Sequence, residues 1–473
     1  MKIDLLESLK SMKIQKNVKE TFDEIKKMQD MQECEFFFLS NQSNEKGKLI
    51  KENNKYCGVF TSNKDYKSFS NNLFSLKMNL SNEDYYSNDA LVTTISLKDW
   101  ILQYKISISN LYRGKKSRFY RMVLPLDKEL KISYLFNTNS FAFNQSGCSH
   151  NLIKTYINGR EFHIYKLSND NGKYLFIDCL SEIAYQEFYD QSICILCALG
   201  ILTGYFVENE CFIFSSDKID FETISFIEFR SLRDSKYAMY EILPTNPYVF
   251  FDKNEVEKNR KLMARISNDV FNRLVNKINL SLTLENSLFI FLEALSYPLD
   301  TQPACLSVVL EGLCNYVKEE NEKSFKPIQE KCKWKELREK LKKVLDDFEY
   351  DFSQDGRLII EKRIDDINNP TNRSKFEKAI ELLGLNLTDY EKEVLSNRNT
   401  FLHCLTELKT EYIKIKAGSA EYNNLFFSSQ ILIRLLYKII LKIIGYDGHI
   451  VNILKFNEDV FESIKEEPRL IKI

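Results

Sequence analysis

Glycine and proline are scarce, at 14 and 8 in 473 residues, and histidine is scarcer still at four. No stretch reads as a low-complexity linker, and no internal repeat stands out. No glycine-rich fingerprint follows a strand-like run, so a dinucleotide-binding Rossmann domain has no support. An excess of one charge is missing too: 66 Lys and Arg against 67 Asp and Glu leave a net charge of -1. Such a chain is not an indiscriminate nucleic-acid binder, although a local basic patch can still serve an RNA enzyme. The first residues, MKIDLLESLKSMKIQKN, hold no apolar signal core. The most apolar stretch, Leu425 to Ile444, is interrupted by Arg434, Lys438 and Lys442, and reads as a buried helix rather than a membrane span. The expectation is a cytoplasmic protein without a membrane partner.

The 11 cysteines follow no regular framework, which suits reduced thiols. Cys194 and Cys197 form a CxxC within ICILCALG, but without a second ligand pair they read as one face of a buried helix. Cys148 and His150 lie close together yet have no further ligands nearby. No metal and no cofactor are expected.

What is present divides the chain in two. Residues 1–30 look helical and charged. From about Glu35 to Arg230 the pattern is strand-like, in short apolar runs bounded by polar turn residues. The clearest hairpin is LIKTYI, Asn158-Gly159, REFHIYKL, because Asn-Gly between two such runs favours a tight turn. One helix interrupts this half near Leu180 to Leu199, with Gly200 placed to end it. His163 alternates within a strand and reads as structural. After Pro247 helical spacing takes over, with helices near 255–278, 283–296, 303–321, 327–349, 374–383, 389–416 and 420–444. The fold class is α+β: a β-rich sensor or regulatory region over 1–250, then an all-helical region over 251–473.

The helix from 389 carries the chemistry. Thr388 followed by Glu391 forms a capping-box pattern. Val394, Phe401, Leu405, Leu408, Tyr412 and Ile415 make an apolar stripe for the core. Asn399 and His403, four residues apart, share the nearly opposite face with Ser396, Thr400, Glu407 and Thr410. Arg398 lies between the faces and can reach round. A bland reading is a surface His beside a surface Arg. R-x4-H arises by chance ~0.1 times in such a chain, and with Asn after the Arg ~0.01 times, so the longer form is the more specific.

NRNTFLH resembles the RNxxxH form of the motif of HEPN domains, found in many bacterial defence and toxin ribonucleases. LEGLCNYV before it and KIILKIIGYDGHIVN after it resemble the HEPN end of ApeA-like abortive-infection proteins. The resemblance covers roughly residues 280 to 455. It implies a helical bundle, RNA as substrate, a homodimer or higher homo-oligomer, a phage-derived trigger, and Arg398, Asn399 and His403 as the active-site residues. The His-x-Tyr extension of one HEPN subgroup is missing, because residue 405 is Leu.

The chemistry fits those residue types. When the RNA 2′-hydroxyl attacks the neighbouring phosphorus, a proton must leave the nucleophile and another must reach the departing 5′-oxygen. Imidazole titrates near neutrality and suits both roles. Guanidinium is a permanent cation matched to phosphoryl oxygens. Asn399 can orient either group. One helix supplies one imidazole, so two copies across a two-fold axis would complete the site. Other cations offer weaker RNA contacts. Arg113, Lys115, Lys116, Arg118 and Arg121 lie among aromatics in YRGKKSRFYR, where a solvated hairpin is the bland alternative. Arg434, Lys438 and Lys442 recur every fourth residue and line either an RNA cleft or a plain solvent stripe. The rival readings are a non-catalytic HEPN module that binds RNA or scaffolds a defence complex, and a nuclease gated by a cyclic nucleotide. The second expects a Rossmann-like sensor.

Overall fold

The structure, a computed structural model, describes the chain except residues 1–12, 31–32, 40–45, 53–54, 63–72, 81–82, 99–100, 145–146, 403–419 and 458–463, and positions 247, 249, 250, 252, 264, 349, 351, 353, 354 and 465. It is mixed α and β, strand-rich first and helical after. The chain divides into two units: Met1–Met239 with Leu243–Asn279, and Tyr240–Ile242 with Leu280–Ile473.

In the first unit, a two-residue strand β1 (Gln15–Lys16) leads into helix α1 (Lys19–Gln29). Six antiparallel strands follow: β2 (Glu33–Phe38), β3 (Lys46–Glu52), β4 (Lys55–Thr61), β5 (Leu73–Leu80), β6 (Glu83–Lys98) and β7 (Ile101–Ile108). They pair in the order β6-β5-β2-β3-β4-β7, and β7 returns to β6, which closes a barrel. Closure satisfies edges that a small open sheet would leave bare. Alternation fills the interior: Phe36, Leu49, Tyr56, Phe60, Tyr104 and Ile106 are buried.

The remaining strands extend from the barrel through β8 (Asn110–Gly114), which meets β6 at Tyr86 and Tyr112. They are β9 (Phe119–Leu126), β10 (Asn139–Phe143), β11 (Gly147–Ile157), β12 (Arg160–Asn169), β13 (Gly172–Cys179), β15 (Glu210–Ser216) and β16 (Phe226–Ser231), in the order β1-β10-β11-β12-β13-β9-β15-β16-β8. A two-residue β14 (Tyr205–Phe206) pairs with β17 (Lys236–Tyr237) apart from this sheet. The expected hairpin is present. Asn158 and Gly159 have φ of 50° and 79°, and Ile157 faces Arg160 across the turn. Helix α1 packs in the apolar core shared by barrel and sheet. Tyr56 donates to the Met28 carbonyl at 2.9 Å, and Phe22 meets Tyr174 and Phe176 edge-on.

After the one-turn helix α2 (Ile132–Leu135), helix α3 (Tyr185–Thr203) is buried along most of its length, Cys194 and Cys197 included. It ends at Gly204, φ 68°, rather than at Gly200. Gly200 instead admits Phe206, whose ring would lie 3.0 Å from an added Cβ. Helices α4 (Lys253–Asn259) and α5 (Asn268–Leu280) follow. The side-chain oxygen of Asn272 accepts from Thr155 Oγ1 at 2.9 Å and Tyr156 N at 2.7 Å, which fixes α5 to the sheet. The later division between the units therefore falls at 279/280.

The second unit is built around α7 (Gln302–Glu320), which packs against α6 (Leu282–Ala294), α11 (Asn372–Leu382), α12 (Asp389–Leu402) and α13 (Ala420–Ile443). Gly312 lets α6 approach at Ser287. Between α7 and α11 lie the single turn α8 (Glu322–Phe325) and a helical hairpin, α9 (Lys331–Asp346) and α10 (Gly356–Asp366). The sequence pattern does not pick out α10, because Leu358, Ile359 and Ile360 are consecutive rather than helically spaced. After α13, Gly445 turns the chain at φ 66° into β18 (His449–Val451), which pairs with β19 (Leu470–Lys472). Residues 240–242 complete this unit: Val451 N donates to the Ile242 carbonyl at 2.7 Å, and Tyr240 stacks on Phe456.

Candidate functional site

Helix α12 starts as its capping box requires. Glu391 N donates to Thr388 Oγ1 at 3.4 Å, and Thr388 N to Glu391 Oε2 at 2.9 Å. One turn on, Val394 is fully buried, the first position of the apolar stripe. Arg398 and Asn399 lie within α12. His403 and residues 405–415 of the stripe lie outside the described residues.

Glu391 has a second task. Its Oε1 accepts from Arg434 Nε at 3.2 Å and Lys438 Nζ at 2.7 Å, both from α13. Arg434 also donates to Asn452 Oδ1 at 2.9 Å, Glu467 Oε2 at 2.8 Å and Tyr390 Oη at 2.6 Å. Arg434 is 0% exposed and Lys438 5%. Burial opposes the charge of Glu391, but Arg434, Lys438 and the Thr388 N–H outweigh it and hold the carboxyl below its usual range. Burial also pulls the Lys438 ammonium down.

The expectation that Arg434 and Lys438 line an RNA cleft, or a solvent stripe, is therefore corrected. They are internal groups that tie α13 to the start of α12. The α13 helix is apolar on nearly every side, so a cation in its middle has no route to water. Lys442, a turn further on, is half-buried. Glu391, Tyr390, Asn452 and Glu467 went unread as partners. The available signal was an acid fixed by a cap and two cations in an otherwise apolar helix.

Beside α12, a groove of about 770 Å³ runs along α11 and is lined by Arg373, Phe376, Glu377, Lys392, Leu395 and Ser396, among others. Helical spacing puts positions 392, 396 and 399 on one stripe, so this groove borders the line on which Asn399 lies. Its lining is of mixed charge.

The basic run in the first unit is dispersed. Strands β8 and β9 are not hairpin partners; β15 and β16 lie between them. Arg113 pairs with Glu24 and with Glu83 at 2.9 Å. Arg118 pairs with Glu182 at 2.9 Å. Lys116 is exposed, with its ammonium 3.4 Å from the centre of the Tyr185 ring, and Lys115 is exposed. Arg121 is wholly buried, with Nε 2.7 Å from Asp178 Oδ1 and Nη1 2.6 Å from the Asn17 carbonyl. Lys16 Nζ reaches the same carboxylate at 2.8 Å. For Asp178, burial is outweighed by Arg121 and Lys16, which hold the carboxyl well below its usual range. Arg121 therefore seals β1 and α1 onto the sheet and offers nothing to RNA.

The described histidines are not gathered into one site. His150 is exposed, bonded to Ser140. The carbonyl of His449 accepts from Tyr446 Oη at 3.1 Å. His163 is buried on β12 with Nε2 2.8 Å from Glu161, and its Nδ1 has no partner among the described residues. Burial pulls its pKa down to about 4. The unfolded chain takes this proton near 6.5, so the stabilising effect of neutral His163 is complete above that pH and declines on acidification toward 4. Urea unfolding should show about 2 kcal/mol of stability lost from pH 7 to pH 5 through this group, and His163→Gln should remove that part of the slope. An unchanged slope would reject the assignment.

Among the described residues, no cluster of three or more His, Cys, Asp or Glu side chains could hold a metal, and no helix is long and apolar enough to cross a membrane.

No family model, curated protein or solved structure matches the chain.

Proposed function

We propose that the protein is a metal-independent endoribonuclease of the HEPN type, acting in anti-phage abortive infection. The observation that carries the reading is the RNxxxH sequence of Arg398, Asn399 and His403, whose first two residues lie on a helix with its start fixed from both sides. The cap and the Glu391 ion pairs hold the first turn of α12, so its backbone direction is set before the motif begins. That supports a positioned catalytic segment over an incidental surface His.

In this reading an imidazole takes the 2′-hydroxyl proton as the oxygen attacks phosphorus. The P–O5′ bond breaks, and a second acid protonates the departing oxygen. The products are a 2′,3′-cyclic phosphate and a 5′-hydroxyl. Arg398 binds the phosphoryl oxygens as negative charge builds, and Asn399 orients the imidazole or the phosphate. A second copy supplies the second His403.

Cleavage of total RNA by the purified protein should persist in excess EDTA and leave 2′,3′-cyclic phosphate ends or their hydrolysis product. Strict dependence on added Mg²⁺ or Mn²⁺, or 3′-hydroxyl ends, would place the chemistry elsewhere.

A further inference from the structure

A cleft of about 830 Å³ opens in the first unit, away from the helix that carries the RNxxxH sequence. One wall is formed by residues 129–134. The other comes from the stretches around Asn246 and Arg260. The two walls are joined at one end. Ile266 N donates to the Leu135 carbonyl at 2.7 Å, and Asn137 N to the Ile266 carbonyl at 3.0 Å. Phe136 and Ile266 are buried at this join, and Phe136 meets Phe271 of α5 edge-on. Val256, also buried, anchors α4. Packed backbone, rather than long side chains alone, therefore sets the shape of the cleft.

The charges around it do not cancel. Lys131, Arg260 and Arg265 line the cleft against Glu129 and Glu257. Glu129 is already held by two further cations, Lys173 at 2.6 Å and Lys166. Arg260 Nη1 lies 3.6 Å from Glu257 in an exposed pair, which a phosphate can displace at little cost. Two rings stand among these cations: Tyr134 is 66% exposed and Tyr248 67%. Tyr248 N donates to Asn246 Oδ1 at 3.0 Å, a local turn that fixes the backbone presenting the ring.

We propose that this cleft binds a nucleotide, with phosphate oxygens on Arg265 and Lys131 and the base stacked on Tyr134 or Tyr248. A guanidinium matches phosphoryl oxygens as a planar fork, and a tyrosine ring offers a stacking face to any base. Inorganic phosphate would use only the cations, and an uncharged aromatic compound only the rings; a nucleotide uses both. The volume lies within the roughly 300–1,000 Å³ of small-molecule sites. A free nucleotide and the phosphorylated end of a strand present the same chemistry to these residues. The inference does not rest on the ribonuclease reading.

Equilibrium dialysis of the full chain should show binding of at least one of ATP, GTP, CTP and UTP, or of a short 5′-phosphorylated oligodeoxynucleotide, which offers no 2′-hydroxyl for cleavage. Binding of a triphosphate identifies a free nucleotide as ligand; binding of the oligonucleotide alone identifies a strand end. Arg265→Glu, at an exposed position, should weaken binding about tenfold or more while circular dichroism stays unchanged. Tyr134→Ala with Tyr248→Ala should weaken it roughly five- to a hundredfold. Tripolyphosphate, which has the charge but no base, should compete about tenfold more weakly than the bound nucleotide. Failure of all these nucleotide ligands to bind at millimolar concentration would overturn the site. Binding that either variant leaves unchanged would do the same, as would tripolyphosphate competing as well as the nucleotide.

Discussion

Glu391→Ala is expected to destabilise the second unit by about 3–5 kcal/mol, the cost of leaving buried charge without its partner. Arg434 would keep Glu467, Asn452 and Tyr390, but Lys438 would lose the carboxylate 2.7 Å away, and α12 would lose half its cap. Thr388→Ala, which removes only the hydroxyl, should cost about 1 kcal/mol. The gap between the two is the electrostatic part. Glu391→Leu with Lys438→Met should recover much of the loss, because it removes the orphaned ammonium while Arg434 keeps Glu467, Asn452 and Tyr390. The pH dependence has a definite sign. The folded carboxyl lies below its unfolded value, so its contribution is complete above the ordinary carboxylate range and fades on acidification. Urea titration at pH 7 and pH 4 measures both effects. A single-mutant cost under about 1 kcal/mol would show that water reaches the cluster.

His403→Ala is expected to leave folding unchanged and to reduce RNA cleavage by roughly 10²- to 10⁴-fold, the usual loss when a general acid–base group is removed. The pair separates two kinds of failure. Glu391→Ala removes activity, if at all, by unfolding; His403→Ala should do so in a protein with wild-type melting behaviour. Arg398→Ala should behave like His403→Ala, with the loss falling on kcat more than on KM if the guanidinium acts mainly in the transition state. A folded His403→Ala protein that cleaves at the wild-type rate would favour the scaffold reading.

Local signals were legible in the sequence where one short stretch decides the outcome. Asn158-Gly159 gives its turn, Thr388 with Glu391 gives its cap, and Val394, the first position of the expected stripe, is buried. Signals that depend on distant partners were not legible. Period-two alternation marks a strand's inner face but does not say which strand it pairs with, so barrel closure through β6 and β7 was invisible. Gly200 and Gly204 both suit a helix end, and only the packing of Phe206 separates them. Arg121, Arg434 and Lys438 look like surface cations because charge normally seeks water. What brings them inside are Asp178 and Glu391, 57, 43 and 47 residues away respectively. Of the proposed active-site residues, Arg398 and Asn399 fall on the expected helix, while His403 is beyond the described residues.

The passage of the chain between its units bears on how the gene can be divided. Residues 240–242 serve the helical unit and 243–279 the strand-rich one. A single breakpoint after Asn279 therefore keeps the strand-rich unit whole but takes residues 240–242 from the helical one. Splitting at 250 strips α5 from the strand end it covers at Thr155 and Tyr156, while starting at 280 deprives Val451 of the Ile242 carbonyl. Exchange of the helical half alone must therefore carry residues 240–242 with it, or replace the backbone partner they give Val451.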